Sequence, residues 1–450
     1  MRQILDLHIH SRYSRACSSQ LNLSSIDATC RIKGIDIIAT GDFTYPEWFF
    51  NIKSELEEID NSGLYKLKEA RDDKVNPAPF GNYAQGTKGA IAKWCGVKFL
   101  LSTELSLIYK DGERVRRIHI VVQAPNTAAV EELNNYLDKK YNIRSDGRPI
   151  LGMKAPELVK LCLSIHPKFL IYPAHIWTPW FAVFGSKSGF DSMEECFHDE
   201  TKNIYAIETG LSSDPAMNWR LSALDKLTIL SNSDAHSLPN LGREANVMDL
   251  DEISYDEIYR VIKEKDLNKL KYTIEFYPEE GMYHFDGHRD CKIRFSPQET
   301  KKHKGICPVC KKPLTVGVMN RVNELADRPA FAEATAGKPV GLNPPAGQAK
   351  FIKLVELDKI IAEALNIKSR QSRQVQAEYN SLIKKVGSEM NILLNESLEN
   401  LSKMTLPIIV KGIERVREGK LIVEPGFDGQ YGTVKIFSAK EKEDKQCKLF

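Results

Sequence analysis

The sequence predicts an α/β protein in which sheet strands alternate with helices from residue 1 to about residue 250. Apolar, β-rich runs occur at 4–9, 35–40, 98–103, 117–124, 169–174, 204–208 and 227–232. Amphipathic stretches lie between most of these runs, at 24–34, 128–141 and 154–166. Strand–helix alternation is typical of a largely parallel sheet. About seven strands favour a closed barrel over an open sheet.

Length and composition limit the expected number of domains, the kind of DNA binding and the cellular location. A chain of 450 residues predicts two or three domains. The net charge of +3 gives no global polycationic character, so any DNA binding has to come from local patches. The first ten residues lack a signal-peptide pattern, and no apolar run approaches the roughly 20 residues that span a bilayer. We therefore expect a soluble cytoplasmic protein with no membrane partner.

Side chains that can bind metal follow nearly every predicted strand. His8 and His10 end the first strand, and Asp234 and His236 follow the last one. Residues two apart in an extended chain project to the same side, so each pair can reach one point. Asp42, Glu104, His175 and Glu208 end other strands. A lone histidine is more often structural, but this repeated pattern at the active-site end of a parallel barrel predicts a multi-metal hydrolase.

A hairpin adds His119 to this set. An Asp-Gly pair at 111–112 is a strong two-residue turn signal. With that turn, residue 110 pairs with 113 and Glu104 lies opposite His119, within about 5 Å between Cβ atoms. A carboxylate and an imidazole at that separation can share an ion. The alternative is an ordinary cross-strand pair, and the strand-end pattern favours ligands.

Two segments between the strands have an irregular composition. Residues 70–90 are polar and rich in Gly, Pro and Asn, which indicates a surface excursion. Residues 175–190 carry Trp177, Trp180, Phe181 and Phe184 without a regular period. These aromatics either pack over the barrel mouth or form a pocket for a nucleobase, because aromatic faces stack on bases.

Cysteines indicate a second metal site after residue 275. Of nine cysteines, six are scattered and expected to be buried and reduced. His288-x-x-Cys291 and Cys307-x-x-Cys310 instead match a tetrahedral structural zinc site. His284 or His303 are alternatives to His288 as the fourth ligand. Nearby lysines and arginines either track a phosphate backbone or only solvate a small domain.

The C-terminal part reads as a linker and a helical module. Residues 329–350 are rich in Pro, Gly and Ala, and 357–367 and 373–394 have amphipathic helix patterns. Residues 419–437 predict a terminal hairpin, and 438–450 a charged tail. A helical module of this kind binds a partner or packs on the enzyme.

Several motifs together resemble the polymerase and histidinol phosphatase (PHP) superfamily: DLHIHS, the Glu104/His119 hairpin, the strand-end His175, and SDAH. The resemblance implies a distorted seven-stranded α/β barrel with up to three metal ions. His8, His10, Glu104 and Asp234 would hold one ion, and Glu104 would bridge to a second held by His119 and His175. His236 with Asp42 would serve a third. That site departs from the family pattern, because Phe43 stands where a histidine is usual.

Longer matches resemble one branch of that superfamily, the endonuclease Q family. They include ATGDFTYP, SDGRPILGM, PAHIWTPWFAVFGSKSGFDSMEECF, ETGLSSDPAMNWRLSALD, YHFDGHRDC and GVMNRVNELADR. The family implies nicking of DNA 5′ of uracil, hypoxanthine, xanthine or an abasic site. Multi-metal hydrolysis by Asp234, His8, His10 and Glu104 would leave 3′-hydroxyl and 5′-phosphate ends.

The resemblance also implies a domain organisation and cofactors. We expect a nuclease barrel (1–275), a zinc-binding domain (276–330), a linker or insertion (331–350), a C-terminal helical domain with a terminal hairpin (351–437) and a charged tail (438–450). The cofactors would be Zn, Mg or Mn in the barrel and a structural Zn. Damaged DNA is the expected partner, and the tail KQCKLF raises a sliding clamp as another.

Two other functions stay open at this point. A PHP phosphoesterase acting on a small phosphomonoester would use the same ligands, although it has no need for a zinc knuckle. A non-catalytic accessory of a helicase or polymerase is suggested by PGFDGQYG at 425–432. Retention of the ligand set argues against that reading.

Overall fold

The computed structural model describes residues 1–68, 96–329, 344–438 and 441. The predicted excursion at 70–90, most of the predicted linker and almost all of the charged tail lie outside these residues. None of the helices in the described ranges combines the length and apolar character needed to cross a bilayer.

The strands of the described residues fall mainly in the first 275 residues. Their bounds are β1 (Arg2–Asp6), β2 (Ile37–Ala39), β3 (Leu56–Glu58), β4 (Leu64–Leu67), β5 (Lys98–Leu100), β6 (Ser102–Asp111), β7 (Arg114–Gln123), β8 (Ile150–Leu151), β9 (Leu170–Pro173), β10 (Ala206–Glu208), β11 (Thr228–Leu230), β12 (Ala245–Asp249), β13 (Leu270–Glu275), β14 (Asp286–His288), β15 (Ile293–Phe295), β16 (Lys350–Lys353), β17 (Ile422–Glu424) and β18 (Thr433–Lys435). Each of the seven predicted runs overlaps at least one of them.

The helices alternate with these strands and then dominate the C-terminal part. Their bounds are α1 (Leu23–Lys33), α2 (Pro46–Glu55), α3 (Thr127–Asp138), α4 (Ala155–Ile165), α5 (Met193–Phe197), α6 (Pro215–Asn218), α7 (Tyr255–Lys263), α8 (Pro297–Lys302), α9 (Val318–Leu325), α10 (Leu357–Ala364), α11 (Arg373–Val386), α12 (Glu389–Leu394), α13 (Leu398–Ser402) and α14 (Pro407–Arg417). Side-chain caps start several of them; Asn22 and Asn126, for example, each accept a hydrogen bond from the amide of the third residue of α1 and α3. The helix pattern over 373–394 is split at Gly387, whose φ of +107° ends α11.

The sheets are mixed rather than largely parallel. The largest has the order β16-β13-β12-β1-β2-β5-β4-β3, and β8-β6-β7-β9 and β10-β11 form two others. β1 pairs parallel with β2 but antiparallel with β12, and β7 pairs antiparallel with both β6 and β9. The α/β class is confirmed, whereas the expectation of a mainly parallel sheet was wrong. Because the pairings divide into separate sheets, the closed seven-stranded barrel stays a prediction.

The hairpin forms where the sequence predicted it, but its register differs by two residues. Asp111 pairs with Arg114, which places Glu104 opposite Val121 and His119 opposite Ser106. Gly112 has a φ of +58°, and it is the only one of the two turn residues with a positive φ. That conformation puts glycine first in the turn, whereas the predicted register needed a positive φ at Asp111 as well. A shift of two keeps both side chains on one face of the sheet.

The C-terminal segments pack on the N-terminal sheet. β16 pairs parallel with β13, so residues beyond the predicted linker extend the same sheet. A buried ion pair of 3.4 Å joins Lys33 of α1 to Glu389 of α12. β17 and β18 pair antiparallel as the predicted terminal hairpin. The proposed domain boundaries stay predictions.

Candidate metal centre

Backbone hydrogen bonds join the segment of His8 and His10 to the segment of Asp234 and His236. The Asp234 amide donates to the His8 carbonyl (3.0 Å), and the His10 amide donates to the Ala235 carbonyl (3.1 Å). Just before them, Asp6 accepts from the amides of Ser233 and Gly242. The segments that follow β1 and β11 are therefore held side by side. This arrangement is needed if the side chains at i and i+2 of both segments are to serve one site.

Four side chains form the first ligand group: His8, His10, Glu104 and Asp234. His10 Nε2 lies 3.0 Å from Asp234 Oδ1 and 3.3 Å from Glu104 Oε2. His8 Nε2 lies 3.9 Å from Glu104 Oε1. Both histidines and Glu104 are buried, so their ligand atoms face one another away from solvent.

The second ligand group shares Glu104 with the first. Glu104 Oε1 lies 2.9 Å from His119 Nδ1 and 3.1 Å from His175 Nε2. The same carboxylate thus reaches both groups through its two oxygens. One carboxylate shared by two clusters is the arrangement expected where two ions are bridged.

Buried ligand atoms without hydrogen-bond partners indicate a site for divalent ions, independently of the sequence pattern. His8 Nε2, His10 Nε2 and Asp234 Oδ1 are buried and make no hydrogen bond. Buried polar atoms are nearly always partnered, and imidazole nitrogens with carboxylate oxygens are an ordinary ligand set for Zn²⁺ and other transition metals. Three such atoms converging on one point are explained by a cation between them.

The electrostatics of the group favour cations. Burial alone would raise the pKa of Asp234, but His10 and His8 hold it well below its usual range. Burial also opposes the charged form of His8, yet the carboxylates of Glu208, Glu104 and Asp234 raise its pKa to about 9. His119 is different, because burial lowers its pKa to about 4 and keeps the imidazole neutral. Ionised carboxylates attract cations, and metal binding would release the proton from His8, because imidazole binds metal in its neutral form.

Two carboxylates outside the ligand groups orient the histidines. Glu208 contacts His8 Nδ1 at 3.0 Å and also accepts from the His175 amide (2.9 Å). Asp42 lies 3.1 Å from His10 Nδ1. Such contacts leave Nε2 of each ring free to face the ligand group. The role of Glu208 was not anticipated beyond its place at a strand end.

The suggested pairing of Asp42 with His236 at a third ion stays a prediction, and Asp42 already has other partners. Its Oδ2 accepts from the amide and hydroxyl of Ser11 (2.7 Å each) and from the Ser14 hydroxyl (2.8 Å). Because Oδ1 contacts His10, both oxygens of the Asp42 carboxylate already have partners. Among the described residues, neither Asp42 nor His236 joins a ligand group, although the His236 ring lies 4.6 Å from that of His10. Phe43, where the family pattern has a histidine, is buried in the core.

Arg148 lies at the centre and was not singled out from the sequence. Its Nη1 donates to Glu104 Oε2 at 2.9 Å. It lies within SDGRPILGM, a segment quoted only for its family resemblance. No spacing rule connects residue 148 to residue 104, so geometry was needed to find it.

The four aromatics of the candidate base pocket have two different environments. Trp177 and Phe184 are buried, and their ring centroids lie 4.9 Å apart. Trp177 Nε1 also donates to Asn218 at 2.7 Å, so these two rings pack in the core. Trp180 is 38% exposed, and Phe181 packs against the His119 ring at 4.7 Å. Phe181 thus contacts a residue of the second ligand group, and Trp180 packs edge-on against Tyr283 at 5.4 Å.

The cysteine motifs meet as one cluster. His288, Cys291, Cys307 and Cys310 each offer a ligand atom within 4.8 Å of the others. The alternative ligands lie elsewhere: His303 stacks on Phe295 at 4.6 Å, and His284 stacks on Phe285 at 5.3 Å. Three thiols and one imidazole leave no open position on a tetrahedral ion, which is typical of a structural zinc site.

Comparison with known sequences gives relatives named only as uncharacterized. A family model described as the MJ0043 C-terminal domain matches residues 356–420. YqxK of Bacillus subtilis is 26% identical over 96% of this chain and 98% of its own. MJ0043 of Methanocaldococcus jannaschii is 32% identical over 57% of this chain. The matched part is 31% of that protein, so the chain spans about a third of its length.

Comparison with solved structures gives matches along the whole chain. The lesion-specific endonuclease PfuEndoQ of Pyrococcus furiosus matches with a TM-score of 0.79, 27% identity and 99% coverage of both chains. Endonuclease Q in complex with a 27-mer duplex carrying an abasic lesion at the active site matches with a TM-score of 0.78 and 27% identity over 97% of each chain. Likeness of this extent confirms the resemblance to endonuclease Q that the motifs indicated.

Proposed function

We propose that the protein is a metal-dependent DNA repair endonuclease that cuts the phosphodiester 5′ of a deaminated base or an abasic site. The observation that carries this proposal is Glu104, whose two oxygens reach two separate ligand groups. Structural likeness to a lesion-specific endonuclease supports DNA as the substrate.

His8, His10, Glu104 and Asp234 would hold one ion, and Glu104, His119 and His175 a second. When bound, divalent ions activate a water and stabilise the attacking and leaving oxygens of the phosphodiester, leaving 3′-hydroxyl and 5′-phosphate ends. The protein's own part is orientation: Glu208 and Asp42 fix the rings of His8 and His10. His236, beside His10, is the remaining candidate ligand for a third ion. The imidazoles suit Zn, and the carboxylates of Glu104 and Asp234 suit Mg or Mn, so these three are the proposed ions.

Selectivity for damage would come from flipping the altered nucleotide out of the duplex, which is easiest where pairing is already weak. Trp180 and Phe181 would stack on the flipped base, since Phe181 adjoins His119. His288, Cys291, Cys307 and Cys310 would hold a structural zinc that stabilises the segment 276–330. Recruitment of a sliding clamp through KQCKLF is a further proposal, and that tail lies outside the described residues.

The test is a nicking assay on end-labelled duplexes that carry uracil, hypoxanthine, xanthine, an abasic site or no lesion. Metal is first removed by chelation and then restored as Mg²⁺, Mn²⁺ or Zn²⁺. We expect a single nick 5′ of the lesion that depends on metal and is lost in Asp234→Ala, with an unchanged thermal unfolding midpoint. Full nicking by a folded Asp234→Ala protein would refute the assigned site. Hydrolysis of p-nitrophenyl phosphate without any nicking would favour the phosphoesterase alternative.

A further inference from the structure

Arg148 contacts the metal ligands in a way that metal binding alone does not explain. Among the described residues, it is the one arginine or lysine whose side chain contacts a carboxylate of the two ligand groups. Its Nη1 lies 2.9 Å from Glu104 Oε2, on the carboxylate that the two groups share. A permanent positive charge at this point repels cations and attracts anions.

The loop that carries Arg148 is fixed on both sides of the site. The Gly147 amide donates to the Tyr13 carbonyl (3.0 Å), which holds the loop to the segment following His10. The Ser106 amide donates to the Pro149 carbonyl (3.1 Å), which holds it to β6, the strand that carries Glu104. At Gly147 a Cβ atom would lie 2.5 Å from both Asp42 Oδ2 and Ser14 Oγ, so the backbone approaches the site as closely as it can. The guanidinium therefore stays beside the ligand groups.

The guanidinium also keeps donors for a further partner. It has five N–H donors in a planar fork, and the bond to Glu104 uses one. The other donors form no hydrogen bond within the described part of the chain, and the side chain is 23% exposed. They are thus accessible to a ligand that enters the site from solvent. A phosphodiester offers two non-bridging oxygens that match this fork.

We propose that Arg148 binds the non-bridging oxygens of the phosphodiester that is cut. This rests on the endonuclease function proposed above. The contact to Glu104 holds the fork on the side of the ligand groups, and the free donors take the phosphate. The contact adds charge stabilisation to the cleaved group as negative charge moves to the leaving oxygen.

The experiment compares Arg148→Ala and Arg148→Lys with a matched control from the same connection, Arg144→Ala. Arg144 is exposed and pairs with Asp138 instead of a metal ligand. Three quantities are measured: metal content of the purified protein, kcat for nicking of a uracil duplex, and affinity for a tetrahydrofuran abasic duplex. The affinity is measured by fluorescence anisotropy between 50 and 200 mM KCl in the Asp234→Ala background, which keeps the duplex intact.

We expect Arg148→Ala to keep its metal and to lower kcat by about 10²–10³, the usual effect of removing one group that stabilises transition-state charge. The slope of log affinity against log salt should fall in magnitude by about 0.9, the value for one phosphate contact. Arg148→Lys should restore the salt slope but only part of kcat, because an ammonium lacks the fork. Arg144→Ala should leave metal content and kcat unchanged.

The alternative is that Arg148 only positions Glu104. That role predicts lost metal in Arg148→Ala with an unchanged salt slope, and this result would overturn the proposal. An unchanged kcat in Arg148→Ala would also overturn it while leaving the endonuclease function standing. A wild-type protein that nicks none of the lesion duplexes would instead refute the proposed function, and the role of Arg148 with it.

Discussion

Both carboxylate oxygens of Glu208 lie 3.0 Å from Nδ1 of His8. Glu208 is buried, and its Oε1 also accepts from Asn232 Nδ2 at 2.8 Å. The contact assigns the proton of the neutral His8 ring to Nδ1 and leaves the Nε2 lone pair for an ion. Strand β10, which ends at Glu208, therefore contributes to the first ligand group without supplying a ligand.

Glu208→Gln should weaken metal binding by about 10–100-fold, the usual effect of losing a carboxylate partner of a metal-binding histidine. The amide keeps the size of the side chain but removes its charge. The measurement is metal retention against a competing chelator. Glu389→Gln is the control, because Glu389 is also buried but pairs with Lys33 far from any ligand group. Equal metal retention by the two variants would contradict this role for Glu208.

Cys310→Ser should release about one equivalent of zinc per chain, since a structural site needs all four ligands. Cys310 Sγ lies 3.7 Å from His288 Nε2, and Cys291 and Cys307 complete the cluster. We expect the segment around 283–316 to become sensitive to limited proteolysis, because zinc supplies much of the folding free energy of such small units. Cys162→Ala is the control: Cys162 is a buried core thiol, so its loss should leave the zinc content intact. Undiminished zinc in Cys310→Ser would mean that the cluster is not a zinc site.

Glu275 predicts a pH dependence of stability. Burial raises the pKa of this carboxyl to about 8, although it accepts hydrogen bonds from Thr209 (3.0 Å) and Thr273 (2.5 Å). Because the folded-state pKa lies above the unfolded value, folding favours the protonated carboxyl. Its contribution to the free energy of unfolding is fully present below the unfolded pKa of about 4.3 and is lost as pH rises through about 8.

Glu275→Gln should therefore be more stable than the wild type at pH 9 and closer to it at pH 5. The amide carries no charge to desolvate; its oxygen can accept from one threonine hydroxyl, and its NH2 group can donate to the hydroxyl oxygen of the other. Urea unfolding midpoints at the two pH values test this. A wild type and variant that differ equally at both pH values would show that the buried carboxyl is not the cause.

Gly432 should not tolerate a side chain. Its amide donates to the Glu280 carbonyl (3.1 Å), and a Cβ atom would lie 2.6 Å from the Glu424 carbonyl and from the Gly426 amide nitrogen. Both are backbone atoms that cannot move aside without disturbing the loop, so we expect Gly432→Ala to cost about 1–3 kcal/mol. Gly152→Ala is the control, because nothing lies within 4 Å of its Cβ position. Thermal unfolding of the two variants measures the difference, and equal midpoints would contradict the close packing.

Local patterns in the sequence predicted secondary-structure elements better than they predicted which residues lie close together. The i, i+2 spacing of His8 and His10 and of Asp234 and His236 predicted which strand ends carry ligands, because that periodicity is a property of any extended chain. The hairpin register was wrong by two residues because one positive φ, at Gly112, decides where the turn begins. This error has a small consequence, because a shift by an even number of residues keeps Glu104 and His119 on the same face of the sheet.

Contacts that depend on tertiary structure could not be read in this way. Arg148 reaches Glu104 across 44 positions, and Asp42 is taken up by Ser11 and Ser14 rather than by His236. The aromatic run at 175–190 gave no period that would separate the buried Trp177 from the exposed Trp180. Each of these outcomes is set by how loops from different strands pack, which no local pattern encodes.

The pairing of β13 with β16 has a consequence for how the chain is made. Tyr272 pairs with Lys350 and Glu275 with Lys353, so the whole segment with the cysteine cluster leaves and re-enters the sheet between neighbouring strands. During synthesis, one edge of β13 lacks this partner until residue 353 has emerged from the ribosome. An open edge is a site of unwanted strand pairing between molecules. A fragment ending before residue 350 would therefore carry every residue of both ligand groups and still be prone to aggregate.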